Sequence, residues 1–418
     1  MYRSCDLPPR QHKVRWRHCL HKPMLTVKER HMSIKKKRAV SALVAFFVLL
    51  LTGAFCAKKV SGGFSPVKVI LDCDMGYMND DVLSLSMLLK AESRGLVDIL
   101  GITLEGGNNF IDAPYENYEE TQFGSSKYTG DFLKLIGRTD IPCFRGTDFP
   151  GDIGRDGLQE LDDYYKGLEY GKFNDGYGAI HFFTSVDPDL LCDRNDAADF
   201  LIRSVRENPD EVVIFAIGPT MNIAKAVKQD PDFAPHVKAI YYMGGALGDT
   251  LMMENSRCEM TEGIDGANVT PYAEYNVLYD PAAFGTCITA HFPLQYIIPG
   301  SCNIGIDRSI ADIFIAHSDG TGISDLWAEH YKEYIQDYPY WDPLTVYAFL
   351  RPDAITASYV QYVTVNTDRL SKYFGQTNGF CPEEYEQLSV DRQSLCGRAE
   401  VIYEMKGFWD YTIDLLCN

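Results

Sequence analysis

Basic residues are scarce over most of this chain. The sequence has 418 residues, with 39 Lys and Arg against 58 Asp and Glu. Residues 1–57 hold 12 of the basic residues and only 2 of the acidic ones, so residues 58–418 carry a net charge of −29. A body this acidic is not suited to contact the phosphates of nucleic acid, which excludes that class of partner.

Low-complexity linkers and internal repeats are also missing from the body of the chain. We therefore expect a single domain, over residues 66–418. Its apolar runs alternate with amphipathic stretches, which predicts an α/β fold: an open, mostly parallel sheet with helices on both faces. Strands are predicted at 67–71, 97–103, 212–217, 239–243 and 294–298, and helices at 82–93, 197–207, 222–228 and 281–286.

One long uncharged run lies near the start of the chain. Its 19 residues, 39–57, follow the basic segment Met32-Ser-Ile-Lys-Lys-Lys-Arg38 and end in small residues. This pattern is typical of a secretory signal peptide, so we assign residues 1–57 to an N-terminal extension and signal peptide, with translation starting at Met32. The protein is then secreted. If translation starts at Met1, the run is long enough to be a signal anchor, the one case in which a membrane is a partner.

Cysteines are the next feature that bears on the compartment. Nine follow residue 57, an odd number that leaves at least one thiol unpaired, and we expect this to be Cys73 on a buried strand. Secretion permits disulfides. Cys381 and Cys396 bracket a polar insert and are the best candidates for a pair.

Four carboxylates fall within ten positions directly after the first predicted strand. Residues 71–81 read Leu-Asp-Cys-Asp-Met-Gly-Tyr-Met-Asn-Asp-Asp, which gives Asp72, Asp74, Asp80 and Asp81. Ligands of open α/β sheets bind outside the carboxyl ends of strands, so these side chains crowd one crevice, where a cation has to offset their repulsion. Oxygen ligands with no His or Cys pair nearby favour Ca²⁺ or Mg²⁺ over zinc. A solvated helix-capping turn is the alternative, but it accounts only for Asp80 and Asp81.

Polar residues follow other apolar segments in a particular order. The segments are Leu104-Glu-Gly-Gly-Asn108, Gly218-Pro-Thr-Met-Asn222, Gly244-Gly245, Asn268-Val-Thr-Pro-Tyr-Ala-Glu274-Tyr-Asn276 and Tyr340-Trp341-Asp342-Pro343. With the acidic loop, they resemble the nucleoside hydrolase family, the metal-dependent N-ribohydrolases that split nucleosides into base and ribose. The resemblance runs from about Val67 to the C-terminus.

This resemblance implies a role for each motif residue. It makes Asp74, Asp81 and Asp342 side-chain ligands of a Ca²⁺, which also binds the backbone carbonyl of Met221. The substrate contacts it implies are Asp80 and Asn276 to the 2′- and 3′-hydroxyls of ribose, Asn268 and Glu274 to the 5′-hydroxyl, and Asn108 nearby. Asp72 orients the cluster from behind, and Asn268, although it begins a glycosylation sequon, is expected in the pocket.

The implied chemistry agrees with the charges. Cleavage of an N-glycosidic bond develops positive charge on the ribose, so surrounding carboxylates and amide oxygens stabilise the transition state more than the neutral substrate. Ca²⁺ lowers the pKa of a bound water, and Asp74 is placed to take the proton as the water attacks C1′.

Trp341 is the residue most informative about the substrate. In family members that accept inosine and uridine, the residue before the last aspartate is His, which protonates the leaving base. A Trp is similar to the purine-specific inosine-adenosine-guanosine branch, where stacking makes N7 of the purine easier to protonate. Tyr177, His181 and Phe182 are candidates for the other side of the stack. The alternative for Trp341 is core packing.

We therefore expect a Ca²⁺-dependent hydrolase of purine ribonucleosides that acts on small-molecule nucleosides and forms a homo-oligomer, a dimer or a tetramer. Two other functions fit part of the sequence. A haloacid-dehalogenase-type phosphatase also begins with Asp-x-Asp after its first strand, but it leaves Trp341-Asp342 unexplained. A secreted nucleoside-binding protein of the same fold, without catalysis, explains the same motifs.

Overall fold

The computed structural model describes residues 65–112, 124–150, 191–247, 273–318, 320, 322–335, 339–368, 371 and 373–418. The signal segment with Met32 lies outside these ranges, as do Asn268, Tyr177, His181 and Phe182. Residues Ser65–Asn418 form one compact unit. Within the described ranges, no helix is long and apolar enough to cross a bilayer.

The described elements form a sheet of nine strands and its covering helices. The strands are β1 Val67–Cys73, β2 Val97–Leu104, β3 Cys143–Arg145, β4 Val212–Ala216, β5 Ala239–Met243, β6 Gln295–Ile298, β7 Ile355–Val365, β8 Thr377–Phe380 and β9 Gly397–Met405. The α-helices are α1 Asp80–Ser93, α2 Ser125–Leu135, α3 Asp196–Glu207, α4 Met221–Gln229, α5 Tyr275–Tyr279, α6 Pro281–Ile288, α7 Arg308–His317, α8 Gly322–Glu333, α9 Pro343–Leu350, α10 Pro382–Tyr385, α11 Val390–Gln393 and α12 Phe408–Cys417. Single 3₁₀ turns occur at Ala234–His236 and Pro352–Ala354.

The sheet has the strand order β3-β2-β1-β4-β5-β6-β9-β7-β8. Its pairs are parallel from β3 to β9, and only β7 runs antiparallel to its neighbours β9 and β8. The predicted mostly parallel α/β sheet is thus confirmed. Because the chain leaves β1 for β2 on one side and reaches β4 on the other, the strand order reverses between β1 and β4, where such sheets form a ligand crevice.

Strand β1 shows how the sheet separates two cores. Val69, Leu71 and Cys73 belong to the apolar cluster that includes α1, α9 and α12, whereas Ile70 belongs to the cluster that includes α3, α4 and α6. Successive side chains of a strand point to opposite faces, so an almost continuous apolar strand is buried on both sides. Helices therefore cover both faces of the sheet, as predicted.

The pairing of the cysteines agrees only in part with the prediction. Cys73 is fully buried and unpaired, and its thiol lies 3.8 Å from the carbonyl oxygen of Thr103. The predicted disulfide between Cys381 and Cys396 is wrong, because both are free thiols. Each is held in a local turn instead. The N–H of Cys381 donates to Oε2 of Glu384 at 3.1 Å, and the thiol of Cys396 donates to the carbonyl of Arg392 at 3.3 Å.

Candidate active site

The acidic loop joins the carboxyl end of β1 to the first turn of α1. Asp74 follows the strand directly, and Asp80 and Asp81 are the first two residues of the helix. The N–H groups of a first helical turn are unbonded within the helix, and together with the helix dipole they favour negative charge. Asp74 and Asp81 are nevertheless fully buried and Asp80 almost so. Helix-start electrostatics alone do not account for so much buried charge.

Another carboxylate reaches this loop from the far end of the sequence. Asp342 precedes α9, and its side chain is buried. Ligand oxygens of Asp80, Asp81 and Asp342 lie within 4.8 Å of one another. Asp74 is close enough to Asp81 for charge repulsion to raise the pKa of Asp81. Asp80 raises the pKa of Asp74 in the same way. The cluster contains Asp81 and Asp342, two of the proposed metal ligands, together with Asp80, which the motifs assigned to the ribose. Asp74, the third proposed side-chain ligand, lies next to this cluster.

Burial and repulsion both perturb these carboxyls. Burial raises the pKa of Asp74 to about 7 and that of Asp72 to about 6. Burial also raises the pKa values of Asp81 and Asp342 well above the usual range, and neighbouring carboxylates add to the effect. A group of carboxyls with raised pKa values is poorly neutralised by its surroundings, and a cation at its centre reverses the sign of the local potential.

The donor atoms fit a hard divalent cation. Oδ2 of Asp81 accepts a hydrogen bond from Nδ2 of Asn79 at 2.8 Å, but Oδ1 is buried with no hydrogen-bond partner among the described residues. A buried, unpartnered carboxylate oxygen beside two other carboxylates is what a metal ligand looks like without its ion. The cluster found among the described residues contains only carboxylates, which suits Ca²⁺ or Mg²⁺ better than zinc.

Asp74 is held by the loop that follows β2. Its Oδ2 accepts the backbone N–H of Asn108 at 2.5 Å, and its Oδ1 lies 3.4 Å from Nδ2 of the same residue. Gly107 makes this approach possible, because a Cβ at that position would lie 2.0 Å from Oδ2 of Asp74. Asn108, expected near the substrate, therefore fixes the carboxylate expected to act as the base.

Glu274 and Asn276 come from the start of α5. The carboxylate of Glu274 caps this helix by accepting the N–H groups of Asn276 at 2.8 Å and Val277 at 3.1 Å, and it also accepts the N–H of Gly245 at 3.0 Å. Nδ2 of Asn276 donates to the carbonyls of Ile217 at 3.0 Å and Met243 at 3.2 Å. Both amide hydrogens are then in use, and Oδ1 is what Asn276 can offer to a hydroxyl donor.

Trp341 is fixed beside the carboxylates at both its backbone and its ring. Its backbone N–H donates to Oδ2 of Asp80 at 3.1 Å, and its indole Nε1 donates to the carbonyl of Gly300 at 2.8 Å. The side chain is partly buried against the core cluster that contains α9. With its N–H bonded to the backbone, the indole has no hydrogen-bond donor left to offer to a ligand.

Met221 is the first residue of α4 and is buried. It follows Thr220, which has a left-handed φ of 67°. The same turn shows contacts of motif residues to which the sequence assigned no role. Asn222 donates from Nδ2 to Oδ1 of Asp72 at 2.9 Å, while the backbone N–H groups of Thr220 and Asn222 donate to the carboxylate of Glu105. An acid directly after an apolar strand was the available signal for Glu105.

The site can now be compared with known proteins. The sequence model described as "Inosine-uridine preferring nucleoside hydrolase" matches residues 69–401. A fission yeast relative, "Uncharacterized protein C800.11" of Schizosaccharomyces pombe, is 26% identical over 78% of this chain and 79% of its own length. "Uridine nucleosidase 1" of Arabidopsis thaliana is 27% identical over 69% of this chain and 75% of its own.

A solved structure has the same fold. "Purine-Preferring Ribonucleoside Hydrolase from Gardnerella vaginalis" aligns with a TM-score of 0.55 and 19% identity, covering 84% of this chain and 98% of that one. These matches exclude the alternative of a haloacid-dehalogenase-type phosphatase. The family match spans most of the chain and includes the acidic loop, the turn before α4 and Asp342. The chain therefore belongs to the inosine-uridine preferring nucleoside hydrolase family, enzymes that hydrolyse the N-glycosidic bond of ribonucleosides.

Proposed function

We propose that this protein is a Ca²⁺-dependent hydrolase that prefers purine ribonucleosides and releases the free base and ribose. The observation that carries the purine preference is the indole of Trp341, held beside Asp80 and next in sequence to Asp342. The names of similar proteins do not decide the matter. The Arabidopsis relative is called a uridine nucleosidase, and the Gardnerella structure is called purine-preferring.

The chemistry of the indole supports a purine. A flat aromatic surface stacks in an offset manner on a base, and a two-ring purine overlaps it more than a one-ring pyrimidine. The ring has no proton to give, because its N–H is bonded to the carbonyl of Gly300. A leaving group that solvent protonates at N7 suits such a site, and uridine has no N7.

The carboxylates and amides account for the other steps. Asp74, aligned by Asn108, accepts the proton of the attacking water. Asp80 and Oδ1 of Asn276 accept hydrogen bonds from ribose hydroxyls, and their negative charge and dipole stabilise the positive charge that develops on the sugar. When bound, Ca²⁺ would be held by Asp74, Asp81, Asp342 and Met221 and would supply the charge that binds hydroxyls and acidifies water.

A direct assay tests this proposal. The purified chain is incubated with inosine, guanosine and uridine in Ca²⁺, after chelation, and after Ca²⁺ or Mg²⁺ is restored. We expect ribose to be released fastest from the purine nucleosides, with activity lost on chelation and recovered best with Ca²⁺. Faster hydrolysis of uridine would contradict the purine preference. Nucleoside binding by calorimetry without ribose release would favour the non-catalytic binding protein instead.

We also propose that the chain is exported and assembles as a homo-oligomer. The support for export is the basic segment ending at Arg38 followed by the uncharged residues 39–57. In cells that express the full chain, we expect the medium to contain a product whose N-terminus, read by mass spectrometry, lies near residue 58. A membrane-bound product that retains residues 39–57 would show the segment to be an anchor. Sedimentation of the secreted product gives its oligomeric state.

A further inference from the structure

A buried carboxylate outside the predicted site lies at the point where the strand order reverses. Glu105 directly follows β2 and is fully buried. Its Oε1 accepts the N–H of Thr220 at 2.7 Å, and its Oε2 accepts the N–H of Asn222 at 3.1 Å. We infer that Glu105 is a positioning residue that fixes the backbone carbonyl of Met221 for the cation. The inference rests on the proposed function, because it requires a cation in the site.

Glu105 acts on this carbonyl through a shared peptide unit. The N–H of Asn222 and the C=O of Met221 belong to the same planar, trans peptide group, in which the two bonds point in opposite directions. A partner that fixes the N–H therefore also fixes the direction of the carbonyl. A carboxylate that accepts the N–H polarises the amide as well, which makes the carbonyl oxygen a stronger ligand.

The second hydrogen bond of Glu105 stabilises the turn before Met221. Thr220 has a φ of 67°, a backbone conformation that β-branched residues rarely adopt. Such a conformation persists only where its surroundings enforce it. The turn packs directly on the carboxylate, since a Cβ on Gly218 would lie 2.7 Å from Oε1 of Glu105. Without that acceptor, the turn would be free to relax and move the carbonyl of Met221.

Glu105 also joins two parts of the site that are distant in sequence. It belongs to the same loop as Gly107 and Asn108, which hold Asp74. Its carboxyl group faces the N-terminus of the nine-residue helix α4, where the unbonded N–H groups favour an acceptor. Glu105 thus links the position of Asp74 to that of Met221.

Asp148 provides a matched control. It is also fully buried, and each of its oxygens accepts one backbone N–H, from Ile111 at 2.9 Å and from Cys192 at 2.7 Å. Neither partner belongs to a proposed ligand of the cation. Loss of the Asp148 carboxylate should therefore destabilise the fold to a similar degree as loss of Glu105, without moving Met221.

The experiment compares full-length Glu105→Gln and Asp148→Asn with the wild type. It measures the Ca²⁺ dissociation constant by titration calorimetry, Tm in chelator, and kcat and KM for inosine at low and at saturating Ca²⁺. Loss of a partner that orients a metal ligand typically weakens metal binding about 10–100-fold. We expect a loss of this size in Glu105→Gln, with kcat largely restored at saturating Ca²⁺. In Asp148→Asn we expect a lower Tm with unchanged Ca²⁺ affinity.

Other outcomes overturn the inference in separable ways. If the wild type hydrolyses nucleosides with bound Ca²⁺ but Glu105→Gln binds Ca²⁺ equally well, only this inference is wrong, and equal weakening in both variants leads to the same conclusion. If the wild type binds no Ca²⁺, the proposed function fails and the inference fails with it. Should Glu105→Gln not fold, Glu105→Asp keeps the charge on a shorter side chain. Its Ca²⁺ affinity should be clearly lower than that of the wild type, and an unchanged value would again overturn the inference.

Discussion

The backbone N–H of Trp341 donates to the carboxylate of Asp80 at 3.1 Å, across 261 positions of the chain. Asp80 is proposed to bind the ribose, and the ring of Trp341 is proposed to stack on the base. This bond therefore holds one carboxylate oxygen of Asp80 at a fixed position relative to Trp341. The contacts to the sugar and to the base are therefore mechanically connected. Substitution of Trp341 by another residue keeps the backbone N–H and tests the ring separately.

The first prediction concerns that ring. Trp341→Ala should lower kcat/KM for inosine by about 2- to 13-fold, since stacking contributes roughly 0.5–1.5 kcal/mol. The loss should be much smaller for p-nitrophenyl riboside, whose leaving group needs no proton. Trp409→Phe is the control, because Trp409 also donates its indole N–H to a backbone carbonyl, that of Gly305 at 2.8 Å. Equal losses on both substrates in Trp341→Ala would show that the ring only packs the core.

Removal of a single carboxylate from the cluster should abolish turnover. Asp74→Asn and Asp81→Asn each delete a charge proposed to bind the cation, and we expect kcat to fall on the order of a hundredfold or more. Circular dichroism should show an intact fold, since each change relieves repulsion between buried carboxylates. Near-normal activity of either variant at ordinary Ca²⁺ concentrations would contradict the metal assignment.

Contacts to the ribose should affect the transition state. Asn276→Ala removes the Oδ1 acceptor, and we expect kcat/KM for inosine to fall about 10- to 100-fold, with kcat itself reduced. Asn208→Ala is the control, because among the described residues the Asn208 side chain bonds locally, from Nδ2 to the carbonyl of Ser204 at 2.9 Å. In the wild type, 2′-deoxyinosine should be a poor substrate. If it reacts as fast as inosine, the proposed contact with the 2′-hydroxyl does not exist.

Adding one methyl group at Gly107, in the loop after β2, should test whether this loop places the carboxylate of Asp74. In Gly107→Ala the new Cβ would lie 2.0 Å from Oδ2 of Asp74, so we expect the carboxylate to be displaced and most activity to be lost. Gly130→Ala is the matched control, because Gly130 lies within α2 and a Cβ there meets no atom of the described residues within 4 Å. That change should leave activity intact and stabilise the protein by about 0.5–1 kcal/mol. Full activity in Gly107→Ala would exclude the proposed placement of Asp74.

The stability of the chelated protein should depend on pH. Burial raises the pKa of Asp72 to about 6 and the pKa values of Asp74 and Asp148 to about 7, whereas a carboxyl in the unfolded chain titrates near about 4. Groups that bind protons more tightly in the folded state stabilise it fully below about pH 4, and this stability is lost as the pH rises through about 7.

Thermal melts at pH 5 and pH 8 check this effect. In chelator, Tm should be lower at pH 8. Added Ca²⁺ should raise Tm more at pH 8 than at pH 5, because the cation competes with protons for the same oxygens. A Tm in chelator that rises from pH 5 to pH 8 would show that these carboxyls are not destabilised by burial.

The central strands could be predicted because their sequences are nearly all apolar. The predicted bounds of β1, β2, β4, β5 and β6 lie within two residues of those in the structure. Strand β7 was missed because Ile355–Val365 mixes polar and apolar residues and is only partly buried. It lies near the sheet edge and runs antiparallel, so its side chains do not need the uniform hydrophobicity of a central parallel strand.

The proposed site residues come from sequence motifs, whereas the backbone groups that bind side chains in and around the site could not be predicted. Oε1 of Glu105 binds a backbone N–H that lies 115 positions away, and the indole of Trp341 binds a carbonyl 41 positions away. Sequence patterns report side-chain types at a fixed spacing, whereas these bonds join side chains to backbone groups that every residue carries. Only the fold determines which backbone groups they meet.

The proposed ligands come from the beginning, the middle and the end of the domain, at Asp74, Met221 and Asp342. During synthesis, the acidic loop emerges long before Asp342, so the nascent chain holds concentrated negative charge without a complete cation site. A cation that needs all three segments binds only the finished fold, and its binding energy then adds to the folding energy. The availability of the ion would thereby control how much newly made protein becomes stable.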